Sequence, residues 1–170
     1  MNRFCSALLC ALLGTATASL ADDAPLSVSI AAPLYGETRP ISLHGRQPHF
    51  HVLLTNTSDA PLHFWREWCS WGYYALSFEL TDEHGKTWIA HKKKTRWTYN
   101  FPDFWTLLPK DSLLIEVYFT DKDRWEGFLS RPTHLTMRAI CEVRPDDESR
   151  KLDVWSGRVA SEPHKYVITD

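Results

Sequence analysis

Apolar and polar residues alternate singly along most of this chain. In LSVSIAA, Leu26, Val28 and Ile30 share one side while Ser27 and Ser29 take the other. In PHFHVLLTN, Phe50, Val52 and Leu54 alternate with His49 and His51, and YYALSFEL sets Tyr74, Leu76, Phe78 and Leu80 on one side. SLLIEVYF does the same with Leu113, Ile115, Val117 and Phe119. The clearest case is THLTMRAICEV, where Leu135, Met137, Ala139, Cys141 and Val143 alternate with His134, Thr136, Arg138 and Glu142. A period of two is the mark of a strand with one buried face.

Turn residues separate these runs. NTSDAP (56–61), TDEHGK (81–86), LPKD (108–111) and RPDDES (144–149) are rich in Asn, Asp, Ser, Gly and Pro, the residues that tight turns require. DEHGK ahead of Thr87-Trp88-Ile89 reads as a hairpin loop. DKDRWEGFLS, 121–130, is expected to hold one short helical turn; no long stretch carries a helical period. Many short strands and few helices predict an all-β fold, an immunoglobulin-like antiparallel β-sandwich, with a small closed barrel as the alternative. The spacing is not that of an antibody domain, since Trp88 lies well beyond the usual dozen residues after Cys69.

The first segment does not follow the strand pattern. MNRFCSALLCALLGTATASLA has a basic start at Arg3, an apolar run from Phe4 to Leu13, then small residues. That is the layout of a secretory signal peptide. The run is shorter than the roughly 20 residues that span a bilayer. Ser19 and Ala21 fit the small positions before a cleavage site, and Ala16 and Ala18 offer a second one. Residues 1–21 are therefore expected to be removed, leaving a single domain over 22–170, secreted or periplasmic. No later stretch is apolar enough to span a membrane.

Cleavage leaves two cysteines, Cys69 and Cys141. An even number in an exported chain favours a disulfide between them. It would close a loop of roughly 70 residues and stabilise the fold by about 4 kcal/mol. Cys141 sits on the apolar side of its strand, so the bond would draw the aromatic segment REWCSWGYY onto the core. Removing Arg3 leaves eighteen basic residues against twenty-one acidic ones. A net charge so near neutral gives no reason to expect nucleic acid or a membrane surface as partner.

Candidate chemistry is sparse. No Gly-x-Ser-x-Gly elbow, phosphate-binding loop, paired CxxC or HExxH occurs in the chain, so an enzyme is a minor alternative. His49 and His51 are two apart on a strand, about 7 Å between Cα atoms. They are weak candidates for a metal site, which needs three or four ligands, and no cofactor is expected. All eight tryptophans lie beyond the leader, six of them between 65 and 105. Trp97, Tyr99, Phe101, Phe104 and Trp105 fall in KKKTRWTYNFPDFWTLL, which lacks strand alternation and also carries Lys93 and Arg96. The stretch 91–106 is expected to be a long loop. Its rings form either a binding surface for a protein or cell-wall glycan, or a satellite core.

LLTNTSDAPLHFW, DEHGKTW and LLPKDSLLIEV resemble the rhythm of small bacterial immunoglobulin-like domains, among them the family named after an intracellular proteinase inhibitor. The segment WCSWGYY and the late segment VWSGRV, 154–159, are similar to exported bacterial immunoglobulin-like proteins of unknown function. The resemblance covers roughly residues 56–161 and departs at Lys110, where glycine is usual. It implies the sandwich fold and assigns no functional residue. It also raises protease inhibition through an exposed loop as an alternative to partner binding.

Overall fold

The computed structural model describes residues 24–42, 50–119, 124–127 and 133–169. The expected leader lies outside these residues, as does His49. The fold is an all-β antiparallel sandwich. One sheet has the order β1-β3-β8 (Leu26–Ala31, Phe50–Asn56, Ser112–Val117). The other runs β2-β12-β10-β5-β6-β9, built from Pro40–Ser42, His164–Thr169, Thr133–Val143, Leu76–Asp82, Thr87–Lys92 and Trp125–Glu126. A further strand, β11 (Gly157–Ala160), also pairs with β10. Among the described residues, β2 with β12 is the one parallel pair of named strands.

The alternating residues fill the space between the sheets. Leu26, Phe50, Val52, Leu54 and Val117 from one sheet meet Phe78, Leu80, Met137, Ala139 and Ile168 from the other, all buried. Phe50 crosses to Phe78 with ring centroids 5.4 Å apart, and Phe119 touches both at 5.0 and 5.2 Å. Edge-to-face pairs at this separation add about 0.5–1.5 kcal/mol each beyond their buried area. Trp125 completes the cluster at 5.4 Å from Phe78. It does so from β9, so a two-residue strand occupies the described part of the segment expected to form a helical turn.

A second correction concerns the aromatic stretch. Phe104–Leu107 is a strand, β7, which pairs with β4, Leu62–Trp65. The β3–β8 ladder runs from Phe50 opposite Val117 to Thr55 opposite Ser112, and the β4–β7 ladder starts at Leu62 opposite Leu107. Together they form one long interrupted ribbon. Asn56, fully buried, staples the interruption. Its Nδ2 donates to the carbonyls of Ala60 and Leu107, and its Oδ1 accepts from the Ser58 backbone and hydroxyl. The facing turn places Lys110 at φ 69°, the left-handed region that favours glycine.

The expected disulfide is not formed: Cys69 and Cys141 are free thiols, both buried. Cys69 ends the turn after β4, and its Sγ–H donates to the Arg66 carbonyl at 3.1 Å. Cys141 lies in β10 opposite Leu76. Each thiol thus has its own place in the core, and packing holds the aromatic corner where a covalent bond was expected to do so. Residues 147–151, in the expected turn, form a short helix, α2, capped by Asp146 and Ser149.

Candidate functional site

REWCSWGYY folds as a tight corner. After β4 the chain turns at Cys69, whose carbonyl accepts from the amides of Gly72 and Tyr73. This starts a one-turn helix, α1, over Ser70–Tyr73. A Cβ at Gly72 would fall inside contact distance of the Arg66 carbonyl and the Trp65 side chain, so the corner closes only around glycine. Trp65 is buried beneath it, 5.7 Å from Trp71.

The corner holds the loop of residues 93–103. Asn100 Oδ1 accepts from the Ser70 amide at 2.9 Å, and Asn100 Nδ2 donates to the Ser70 hydroxyl at 2.8 Å. The Thr95 amide donates to the Tyr74 hydroxyl, and the Lys93 amide to the Arg124 carbonyl. Trp97 meets Tyr73 edge to face at 5.5 Å. Its ring N–H is buried and has no hydrogen-bond acceptor among the described residues. On either side of the pinned Asn100, Tyr99 and Phe101 are 84% and 74% exposed.

A groove of about 620 Å³ opens between loop and corner, lined by Glu67, Trp68, Tyr73, Lys92, Arg96, Trp97, Tyr99 and Arg124. A smaller recess of about 260 Å³ adjoins it, sharing Glu67, Trp68, Tyr73 and Lys92. The recess continues between the sheets against Leu54, Phe64, Leu76, Leu113, Ile115 and Cys141. Lys92 stands at the junction with its side chain nearly buried. Its Nζ is 5.0 Å from the ring centroids of both Tyr73 and Trp125, and 4.0 Å from Glu67 Oε2. Burial pushes the Cys141 thiol up to about 12, so it stays protonated at neutral pH.

The residues singled out in the sequence do not gather at one place. Arg96, Trp97 and Tyr99 line the groove, and Phe101, outside that lining, is exposed on the same loop. Trp105 lines the recess and carries the Arg66 guanidinium on its face. Phe104, one residue earlier in β7, turns to the core and stacks on His63 at 4.4 Å. Lys93 is half-buried, tied to Arg124 through its backbone. His51 stands half-buried on β3 between Ala31 and Glu116. Among the described residues, no three of His, Cys, Asp and Glu gather as a metal cluster.

Trp68, Tyr73 and Arg124 were not singled out in advance. The first two belong to a segment read as core filling, and Arg124 comes from the turn before β9, far along the chain. The Ser70–Asn100 pair spans thirty positions and has no local signature. Comparison with protein-family models, curated proteins and solved structures finds no match to this chain.

Proposed function

We propose that this is an exported, non-enzymatic binding domain that holds a protein or cell-wall glycan partner across the aromatic groove. The observation that carries the reading is the pair Tyr99 and Phe101, largely exposed on a loop fixed at Thr95 and Asn100. Exposed apolar surface forgoes about 25 cal/mol per Å² of burial. Neighbouring exposed rings are accordingly a mark of surfaces that are covered in use. A pinned loop also loses little conformational freedom on binding.

Changing Tyr99 and Phe101 together to Ala tests this. Both side chains are exposed, so thermal unfolding should stay within about 2 °C of wild type, while retention of purified partner or cell-wall fragments falls at least tenfold. Full retention of every partner by the folded double variant would refute the assignment.

A second reading is protease inhibition. It is favoured by the same anchoring, which presents Tyr99 as a rigid, protruding side chain of the kind a protease cleft accepts, and by the family resemblance. A panel of bacterial and host proteases decides it, and absence of inhibition at micromolar concentration eliminates it.

A further inference from the structure

We propose that the groove selects an anionic glycan, one bearing carboxylate or phosphate groups along a sugar chain. The proposal rests on the binding reading above and adds the charge and class of the ligand. It starts from the order of residues on the loop wall: Arg96, Trp97, Thr98, Tyr99. Cation, ring, hydroxyl and ring succeed one another there, and Trp68 and Tyr73 from the corner complete the aromatic lining. A sugar ring presents an apolar C–H face edged by hydroxyls. That face stacks on the electron-rich face of Trp or Tyr, while hydroxyls and acid groups meet the polar side chains between the rings.

The charge is uneven in the same place. Lys92, Arg96 and Arg124 line the groove with one acid, Glu67. Lys93 and Lys94 belong to the same stretch. Asp103, in the same loop, accepts from the groove-lining Trp68 and pairs with Arg66; with that pair counted, and Asp121 and Asp123 ahead of Arg124 as well, six basic residues stand against four acidic ones. The whole protein is net negative, at −2. A local positive surface on an acidic protein steers anionic ligands towards itself. The planar guanidinium of Arg matches carboxylate and phosphate alike. An acidic protein would satisfy the charge as well, but it gives no use to ring faces alternating with cations.

The test titrates the full mature chain calorimetrically with polygalacturonate, with the same polymer fully methyl-esterified, with a phosphate-bearing mannan and with poly-glutamate. The acidic polymer should bind at least tenfold more tightly than its ester, and raising salt from low to several hundred millimolar should weaken binding by a similar factor. If the mannan binds instead, phosphate is the recognised group. Arg96→Gln and Lys94→Gln, at exposed positions, should each reduce affinity severalfold without moving the melting temperature, and Tyr99→Ala should reduce it further. Equal binding of the acidic polymer and its ester would overturn the charge inference and leave the binding reading intact. Poly-glutamate binding as tightly as any glycan would overturn the ligand class. If no polymer binds, the inference fails outright, and partner retention by wild type against the Tyr99/Phe101 double variant decides separately whether the binding reading survives.

Discussion

The guanidinium carbon of Arg66 lies 3.8 Å from the ring centroid of Trp105, across the β4–β7 ribbon. Trp68 meets Trp105 at 68°, and the guanidinium sits in the corner they form, 4.7 Å from the Trp68 ring. Arg66 Nε donates to the Phe104 carbonyl and faces Asp103 at 3.4 Å, while Trp68 Nε1 donates to the other oxygen of Asp103. Three side chains thus fix the orientation of one cation, and the cation fixes the edge of the recess.

Arg66→Lys keeps the charge but loses the plane and the Nε bond. It should destabilise the fold by about 1–2 kcal/mol in urea unfolding, the size of a partly desolvated cation–π contact plus one hydrogen bond. Combined with Trp105→Leu, the two losses should not add, with a coupling of about 1 kcal/mol. Additivity within about 0.3 kcal/mol would mean that the stack carries no energy.

Asn56 is the staple of the ribbon. Asn56→Ala removes four hydrogen bonds and strips the Leu107 carbonyl of its side-chain donor. At about 1 kcal/mol per bond, and more for a buried group left unmet, the cost should be about 3–4 kcal/mol by chemical denaturation. A loss under 1 kcal/mol would show that water replaces the side chain freely.

The Cys141 thiol imposes a sign on alkaline stability. Its folded pKa, about 12, stands above its ordinary value of 9.0 because burial disfavours the thiolate. Below pH 9 both states are protonated and the thiol adds no pH dependence. Between pH 9 and about 12 the unfolded chain gives up this proton and the folded one keeps it. Stability should therefore fall by about 1.4 kcal/mol per pH unit from this group. Unfolding free energies for wild type and Cys141→Ala across that range should converge as pH rises. Parallel curves would place the thiol in contact with water. Both free thiols should also resist alkylation in the native protein and react on unfolding.

Tyr166, almost completely buried on β12, has a hydroxyl without a hydrogen-bond partner among the described residues. Desolvation raises its pKa, opposed by the nearby Arg39. Tyr166→Phe deletes an unmet polar group and leaves the ring in place. Stability should be unchanged or increased by up to about 1 kcal/mol. A clear loss in thermal unfolding would identify a bond that the hydroxyl makes.

The strands that alternate strictly were legible from the sequence. Leu135, Met137, Ala139, Cys141 and Val143 all point inward from β10, and Leu76, Phe78 and Leu80 do so from β5. Tyr74, placed with the latter by periodicity, closes α1 and is exposed. The Lys110 departure from glycine coincides with a left-handed backbone. Phe104–Leu107 was not legible as a strand, because one aromatic faces the core and the next serves the recess, so both positions are apolar. RPDDES looked like a turn because the residues that cap a helix are those that make turns. β2, β11 and β12 are short or polar and are specified by the strands they pair with. The groove was half legible. Its loop showed in composition, while its other wall depends on contacts thirty positions apart.

The pairing of β12 reaches beyond stability. This strand lies between β10, the spine of its sheet, and β2, near the beginning of the described chain. Ser161, just before it, receives the Ala139 amide on its hydroxyl. One side of the spine, from Thr133 to Met137, therefore has no strand beside it until residues 164–169 have been made. Such distant closure is slow, so one apolar margin of the spine stays open to self-association until the last described strand has joined it.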